Sequence, residues 1–315
     1  MPNKRQEEST KSIRKAYGET LVKLGHKQDN ILVLDADLSK CTMTQLFSNE
    51  FPERFVNCGI AESNMMCVAA GLASCGHVVF VSTFAMFAAG RAFDQIRNSI
   101  SYNNLNVKIC ATHAGITVGE DGASHQSIED VALMRVIPNM KVLSPCDAVQ
   151  TEKCIELAFN TEGPFYVRLS RIELPYIYHE SESFDIKNGK ILRDGCDITI
   201  FATGIMVHQA LEVANMLEKD KIFSQVIDIF SIKPLDRELI VKCAQKTKLV
   251  VTIEEHTVYG GLGSAISEVL SQYLPTKILI FGINDKFGRS GTYKSLLKSY
   301  ELDAESIYSA IIRRL

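Results

Sequence analysis

The sequence has neither a C-x-x-C pair nor a long apolar run. Its nine cysteines stand singly, which indicates buried thiols in a reducing compartment rather than a disulfide framework. No apolar stretch reaches the roughly 18 residues that a membrane-spanning helix needs. The first dozen residues are polar and show no apolar core of a secretory signal. We therefore expect a cytoplasmic protein without a membrane segment.

An excess of charge is also missing. The formal net charge is −3, with 34 basic and 37 acidic residues scattered along the chain, so there is no electrostatic footprint for nucleic acid or for an acidic membrane surface. The composition, 46% hydrophobic and 23% charged, is that of an ordinary soluble globular protein. Because single cores tend to stop growing at about 250 residues, a chain of 315 residues predicts two domains.

Short β-branched runs alternate with longer helical patterns, which predicts an α/β protein of two domains, each a mostly parallel sheet with helices on both faces. We predict domains at residues 10–172 and 195–315. Residues 173–194 are predicted to be a linker, since they are polar and have no sustained helical period. Strands are predicted at 31–35, 54–57, 78–82, 107–111, 141–144, 165–169, 197–202, 226–230, 248–253 and 277–281. Helices are predicted at 10–25, 61–74, 85–100, 129–135 and 147–160, and from about 207, 236 and 263.

Glu62 is the only acid between Cys58 and Gly76, in a stretch of small and apolar residues that predicts a closely packed helix. Burying a carboxylate there without a partner would raise its pKa and favour the neutral form, which donates a hydrogen bond. Such a group suits proton exchange with a nitrogen heterocycle. The alternative is a partly solvated glutamate in the first turn of a helix, stabilised by the helix N-terminus.

Phe84 and Phe87 stand three residues apart in the next apolar segment. If a helix starts here, the two rings share one face, where they would flank a flat aromatic ligand. The alternative is that both belong to the hydrophobic core.

Residues 112–126, THAGITVGEDGASHQ, follow an apolar strand and combine glycines with His113, Glu120, Asp121 and His125. Glycine permits unusual backbone geometry, and loops at the carboxyl ends of parallel strands bind ligands. Both histidines are candidate proton carriers near neutral pH, and Asp121 is a candidate to orient His125. The spacing matches no compact metal-ligand pattern, so we expect no metal site in this chain. The alternative is a surface turn with incidental polar residues.

Two further features lie near predicted strand ends. Arg168 and Arg171 close the segment FYVRLSR, and guanidinium groups suit phosphate, although a solvated ion pair explains them equally well. Residues 260–265, GGLGSA, follow a strand and open a helix, but the third glycine of a dinucleotide fingerprint is missing. Because Glu254 and Glu255 would also repel a pyrophosphate, we interpret this segment as a close helix–sheet turn.

Five segments occur in the order GIAESNM, STFAMFAAGRAFDQIR, THAGITVGEDGASHQ, YVRLSR and EEHTVYGGLGS. Together they resemble the pyrimidine-binding and C-terminal domains of the transketolase family, over nearly the whole chain from Lys11 onward. Each segment alone is modest, whereas five in order are specific. The segment EEHTVYGGLGS receives no chemical role from its residues.

The resemblance implies thiamine diphosphate as the cofactor. Glu62 would hydrogen-bond the aminopyrimidine ring and promote formation of the reactive carbanion. Phe84 and Phe87 would contact that ring, and Asp37 matches an acid near the cofactor. Gly90 departs from the family pattern, because an aromatic residue is often found at this position.

The resemblance also implies a phosphosugar site, with His125 as a candidate for proton transfer. The residues that match its sugar-binding loop and its phosphate-binding arginines are His113, Asp121, His125, Arg14 and Arg171. Cys41 stands where the family pattern has a serine of the phosphate site.

In the family, a GDG motif followed by asparagine holds the diphosphate and its divalent ion, and we find no equivalent in this sequence. The resemblance therefore implies that Mg²⁺ and the diphosphate are bound mainly by an N-terminal subunit. This chain would be the C-terminal subunit of a split transketolase of the pentose phosphate pathway. It would be active only in a heterotetramer, a dimer of heterodimers.

Three alternatives remain open. A deoxyxylulose-phosphate synthase is normally one long chain and lacks the first histidine of the loop, so His113 argues against it. The β subunit of a 2-oxoacid dehydrogenase is a separate chain of similar size, but it needs no phosphosugar clamp of Arg14, His113 and Arg171. A non-catalytic regulatory subunit would tolerate loss of these residues.

Overall fold

Strands and helices alternate along residues 10–315, which are the part of the chain that the computed structural model describes. The strands are β1 (Thr10–Ser12), β2 (Ile31–Asp35), β3 (Phe55–Asn57), β4 (Val78–Phe84), β5 (Val107–Thr112), β6 (Lys141–Leu143), β7 (Phe165–Arg168), β8 (Glu173–Pro175), β9 (Lys190–Arg193), β10 (Ile198–Ala202), β11 (Ser224–Asp228), β12 (Ser231–Lys233), β13 (Leu249–Thr257) and β14 (Ile278–Ile283). The helices are α1 (Ile13–Gly25), α2 (Ser39–Thr42), α3 (Gln45–Glu50), α4 (Glu62–Ser74), α5 (Phe93–Gln95), α6 (Asp130–Arg135), α7 (Ala148–Asn160), α8 (Met206–Lys219), α9 (Arg237–Ala244), α10 (Leu262–Tyr273), α11 (Tyr293–Ser299) and α12 (Ala304–Ile312). No helix in this part of the chain is long and apolar enough to cross a membrane.

The larger sheet has the strand order β12-β6-β7-β5-β4-β2-β3, and all its neighbours are parallel except β12, which runs antiparallel to β6. Successive side chains of a strand face opposite sides of the sheet. On β4, Phe80 contributes to the core that contains Tyr17 of α1. Its neighbours Val79 and Val81 contribute to a second core, with Met65 of α4. Helices therefore cover both faces.

The smaller sheet has the order β14-β13-β10-β11-β9, with β9 the one antiparallel strand. Ile200 of β10 shares a core with Val213 of α8, whereas Phe201 shares another with Ile266 of α10. The predicted fold class, two mostly parallel sheets with helices on both faces, is confirmed.

Residues 173–194, predicted to be a linker, contain two short strands. β8 pairs antiparallel with β1, and β9 forms the edge of the smaller sheet beside β11. In addition, β12 follows β11 in the chain but pairs with β6 of the larger sheet. Such short strands carry no period that a sequence pattern reveals. The two sheets are thus joined through backbone pairing, and the exact domain boundaries stay a prediction.

Two local predictions need correction. The first helix begins at Ile13 rather than residue 10, with the Ser12 hydroxyl accepting from Lys15 N at 3.4 Å as the helix cap. The helix predicted at 85–100 is broken into π-helical turns at Phe87–Arg91 and Ile96–Ser101 around α5. Phe84 is the last residue of β4 instead, because it pairs with Thr112 of β5.

All nine cysteines are free, but the prediction that they are buried is wrong for several of them. The buried thiols are Cys110, Cys146, Cys154 and Cys243. The exposed thiols are Cys41, Cys67, Cys75 and Cys196.

A buried carboxyl group joins the two sheets. Asp228, at the end of β11, accepts hydrogen bonds on Oδ2 from Gln150 of α7 at 2.6 Å and from the Tyr178 hydroxyl at 2.8 Å. Its Oδ1 is buried and has no hydrogen-bond partner in the described part of the chain. Burial raises the pKa of Asp228 to about 7, because a proton removes the charge from a site that water does not reach.

Replacing Asp228 by asparagine should remove a pH-dependent loss of stability. The folded protein keeps this proton up to about pH 7, whereas the unfolded chain loses it near the ordinary pKa of 3.8. The contribution of this group to stability is therefore fully present below about pH 4 and is lost as the pH rises towards 7. Asparagine does not ionise, so the Tm of Asp228→Asn relative to wild type should rise by about 5 °C between pH 5 and pH 8. Thermal melts at both pH values test this, and identical pH profiles would contradict it.

Candidate active site

The candidate residues follow the carboxyl ends of five adjacent strands of the larger sheet. Phe84 is the last residue of β4, and the other residues lie shortly after the ends of their strands. In the spatial order of the strands, the pairs are β7 with Arg171, β5 with His113, β4 with Phe84, β2 with Asp37 and β3 with Glu62. Ligands of parallel sheets bind at this edge. The strand order thus brings together segments that are far apart in the sequence.

Glu62 is the first residue of α4 and its side chain is 4% exposed. The guanidinium of Arg91 donates to its Oε1 at 3.0 Å, and the Arg91 side chain is 52% exposed. Glu62 is therefore buried with a partner rather than without one, because Arg91 supplies the counter-charge. The position in the first helical turn agrees with the alternative interpretation, although the side chain is buried rather than partly solvated.

Phe84 and Phe87 form an aromatic corner beside Glu62. Their rings stack at 5.8 Å with an angle of 16°. Phe84 is 6% exposed and contributes to the interior, while Phe87 is only partly buried. The guanidinium of Arg91 lies over the Phe87 ring, 4.0 Å from its centre. Arg91 therefore contacts both the acid and the aromatic face.

His113 also stacks on Phe84, with ring centres 3.8 Å apart. Its Nε2 lies 3.5 Å from Nη1 of Arg14, and its Nδ1 lies 2.9 Å from the Thr112 hydroxyl. Because arginine only donates, Nε2 is the acceptor and Nδ1 carries the proton. Burial, with the charges of Arg14 and Arg171, lowers the pKa of His113 to about 3. The His113 ring therefore stays neutral near pH 7, which disfavours it as a proton carrier and suits it to accept a hydrogen bond.

Arg14 and Arg171 lie near His113 and make the pocket cationic. Arg14 donates to the carbonyl of Cys41 at 2.6 Å, so Cys41 contributes its backbone to this contact. Arg171 donates to the carbonyl of Val118. Burial and the charge of Arg171 lower the pKa of Arg14. A bound anion would relieve this repulsion between the two cations.

Asp121 pairs with Arg171 at 3.4 Å. His125 Nδ1 lies 2.9 Å from the Ser124 hydroxyl, and its ring meets Phe87 edge-on at 5.3 Å. The prediction that Asp121 orients His125 is therefore wrong. The partly buried His125 nevertheless contacts both rings of the aromatic corner edge-on.

Asp37 lies towards the Glu62 end of the sheet edge. It is exposed, and Asn57 at the end of β3 donates to its Oδ1 at 3.1 Å. The turn is held by Asp35, which accepts from the Leu38 amide at 2.6 Å and from the Thr42 hydroxyl at 2.7 Å.

Two features near strand ends prove to be structural. Arg168 is 8% exposed and pairs with the fully buried Asp130 at 2.9 Å, so it is not a phosphate ligand. The N-terminus of α10 is filled by the chain's own Glu254, which accepts from the amides of Leu262 at 2.7 Å and Gly263 at 2.8 Å. This agrees with a close helix–sheet turn.

The Glu62 corner fits a flat nitrogen heterocycle, because a buried carboxylate adjoins stacked aromatic rings. Beside it, the pocket of Arg14, His113 and Arg171 fits an anionic substrate. Across residues 10–315, no group of three or more His, Cys, Asp or Glu side chains is arranged to hold a metal ion. The fold and site define an α/β domain for a heterocycle and an adjacent anion.

Comparison with known families agrees with this class. The model "Transketolase, pyrimidine binding domain" matches residues 9–176, and "Transketolase, C-terminal domain" matches residues 187–307. The chain belongs to the transketolase family.

Among its relatives, a protein named as a transketolase C-terminal section, from Methanocaldococcus jannaschii, is 52% identical over 308 residues, which cover 97% of this chain and 96% of the relative. Transketolase of Homo sapiens is 42% identical over 305 residues, which cover 95% of this chain but 48% of the human protein. The 6-deoxy-6-sulfo-D-fructose transketolase subunit of Clostridium sp. strain MSTE9 is 39% identical over 298 residues, covering 95% of this chain and 92% of that subunit. The chain thus spans nearly all of the Methanocaldococcus jannaschii and Clostridium relatives and about half of the human protein.

Solved structures show the same relation. A split gene transketolase, solved as an inactive β4 tetramer, has a TM-score of 0.89 at 50% identity and covers 97% of this chain and 98% of its own. The transketolase of Campylobacter jejuni has a TM-score of 0.83 at 26% identity, with 97% of this chain and 47% of its own covered. The chain is a homologue of the C-terminal section of a split transketolase.

Sequence reasoning missed two residues that contact the site. Arg91 lies 29 positions after Glu62, beyond any local period. Glu255, of the smaller sheet, contacts Thr117 of the loop, whereas the sequence indicates it only as an acid that would repel a pyrophosphate. Strand alternation alone does not show which way such an acid points.

The ring of His113 should stay neutral across the physiological range. With histidine-labelled protein, NMR should show no titration of this ring between pH 8 and pH 5, because its pKa is about 3, and should show a proton on Nδ1. His113→Asn identifies the signal by its loss. An inflection near the ordinary value of 6.5 would contradict the buried cationic environment.

Proposed function

We propose that this chain is the C-terminal subunit of a thiamine diphosphate-dependent transketolase. With an N-terminal subunit, it would transfer a two-carbon ketol unit between phosphosugars. The observation that carries the proposal is that the Glu62 corner and the pocket of Arg14, His113 and Arg171 adjoin at one sheet edge. The family relation supports the same reaction.

Thiamine diphosphate, when bound, supplies a nucleophilic carbon that carries the two-carbon unit. Glu62 would hydrogen-bond the aminopyrimidine and exchange a proton with it through the carboxylate. Phe84 and Phe87 would contact the ring and exclude water, with Asp37 nearby. Mg²⁺ and the diphosphate would be held by the partner.

In the substrate pocket, Arg14 and Arg171 would bind the sugar phosphate through charge-assisted hydrogen bonds. Nε2 of His113 would accept a hydrogen bond from a sugar hydroxyl, because the ring proton lies on Nδ1. Asp121 would bind another hydroxyl. His125 would transfer a proton with its half-exposed imidazole.

Dependence on a partner is part of the proposal. Support comes from the relative named as a C-terminal section and from the solved split gene transketolase, described as an inactive β4 tetramer. We propose a heterotetramer, a dimer of heterodimers, which acts in the pentose phosphate pathway. We also propose the cytoplasm as the compartment, because the nine cysteines stand singly in the sequence.

The decisive experiment is reconstitution. The chain, a candidate N-terminal subunit, thiamine diphosphate and Mg²⁺ should transfer a ketol unit from xylulose 5-phosphate to ribose 5-phosphate, whereas the chain alone should not. Glu62→Gln in the complex should lower kcat by about two to four powers of ten, because amide exchanges no proton. Near wild-type turnover of this variant would show that Glu62 is not the central acid, and activity of the chain alone would refute the split-subunit proposal.

Arg91 adds a consequence for cofactor binding. It donates to Glu62 and lies over Phe87, which are the two kinds of contact that we propose for the aminopyrimidine. A guanidinium is likewise a flat group with N–H donors. Because its side chain is 52% exposed, Arg91 can turn towards solvent, so cofactor binding must break the ion pair first.

Removing Arg91 should therefore tighten cofactor binding. A partly exposed ion pair and a cation–π contact together contribute on the order of 1 kcal/mol, so Arg91→Ala in the complex should lower the Kd for thiamine diphosphate by about fivefold. Calorimetric titration measures this without turnover. The control is Arg97→Ala, since Arg97 is also exposed but bonds Asn98. Weaker binding by Arg91→Ala would mean that Arg91 supports the cofactor instead.

A further inference from the structure

The triplet Glu254, Glu255 and His256 of β13 is buried, with exposures of 1%, 2% and 1%. It belongs to the segment EEHTVYGGLGS, which received no role from the sequence. Glu254 caps α10 of its own domain. Successive side chains alternate in direction, and Glu255 reaches the loop at residues 112–126 of the other domain.

The contact between Glu255 and this loop is close. Oε1 of Glu255 accepts a hydrogen bond from the Thr117 amide at 2.6 Å. A Cβ atom at Gly115 would lie 2.2 Å from the Glu255 carboxyl carbon, and the φ of Gly115 is +79°. Only glycine meets both conditions, so the loop is shaped to receive this carboxyl group.

A second contact from the same domain holds the other end of the loop. The Gln126 side-chain amide donates to the carbonyl of Arg289 at 2.9 Å. A Cβ atom at Gly288 would lie 1.7 Å from Gln126 Oε1. The smaller domain therefore hydrogen-bonds the loop at Thr117 and at Gln126. Asp121 lies between these two contacts in the sequence.

The carboxyl group of Glu255 is costly to bury. Burial raises its pKa to about 7, against the opposing effects of Arg168 and of the Thr117 hydrogen bonds. Its Oε2 is buried and has no hydrogen-bond partner among residues 10–315, so the contacts of the fold do not account for this oxygen. Arg168 donates to the backbone carbonyl of Glu255 at 2.9 Å rather than to its carboxyl group. The hydrogen bond of that carboxyl group is the one from the Thr117 amide of the loop.

We propose that Glu255 is a positioning residue, which fixes the loop carrying His113 and His125 through the Thr117 amide and so sets the affinity for the sugar phosphate. The smaller domain then contributes to the active site without touching the substrate. The kinetic consequence rests on the proposed function, whereas the effect on the loop does not.

Hydrogen exchange on the chain alone tests the effect on the loop. Glu255→Ala and Glu255→Asp should speed exchange of residues 114–122 by about tenfold, because neither side chain reaches the Thr117 amide. Glu255→Gln keeps an acceptor and should stay within about threefold of wild type. The aspartate keeps the charge beside Arg168 and decides the question if the alanine variant does not fold.

Glu254→Ala is the matched control. It removes an equally buried acid one residue away, so it should speed exchange at the start of α10 and leave residues 114–122 unchanged. Loop exchange that is unchanged in folded Glu255→Asp, or raised equally by Glu254→Ala, would overturn the positioning role.

Kinetics in the reconstituted complex test the consequence. Glu255→Asp should raise the KM for xylulose 5-phosphate about tenfold, as misplacement of binding groups does, with a smaller change in kcat and an unchanged Kd for thiamine diphosphate. Glu255→Gln should restore the KM. A KM equal to wild type despite faster loop exchange would overturn the link to substrate affinity. An inactive wild-type complex would count against the proposed function, while the exchange result would still decide the position of the loop.

Discussion

The parallel pairing of β4 with β5 is the constraint on which the site depends. Its register sets Phe84 opposite Thr112, so that His113, the next residue, stacks on the Phe84 ring at 3.8 Å. A shift of one residue would turn the alternating side chains of β4 to the other face. It would separate the aromatic corner from the cationic pocket, and cofactor and substrate would no longer share a boundary.

Hydrophobic residues on both faces hold this register, but polar contacts fix the loop above it. The buried pair of Arg168 and Asp130 extends to the backbone of Glu255, on the smaller sheet. Removing one partner of such a pair would leave an uncompensated charge in the interior. The two domains are therefore coupled by buried polar groups that water cannot reach to replace a lost partner. Through these contacts, a strand of the smaller sheet can affect the position of the loop.

Much of the fold could be predicted from the sequence, because a long periodic segment such as α7 indicates a helix and a short apolar run such as β2 indicates a buried strand. It also singled out Glu62, since an acid in an apolar helix is unusual whatever its partner. It failed for contacts between distant segments. Asp121 stands four residues before His125 but pairs with Arg171, because loop geometry rather than helical spacing sets its neighbours. Likewise, β8 and β9 exist only through strands elsewhere in the chain.

In the ion pairs of the proposed ligand site at least one partner is exposed, whereas both partners are buried in the pair that holds the fold. Glu62 pairs with an arginine that is 52% exposed, and Arg171 pairs with Asp121, which is 43% exposed. Arg168 and Asp130, in contrast, are 8% and 0% exposed. Pairs open to water contribute little and are easily exchanged, whereas buried pairs are costly to break. In the site, a ligand can therefore replace the partner of Glu62 or of Arg171. At the domain junction, the pair of Arg168 and Asp130 remains intact.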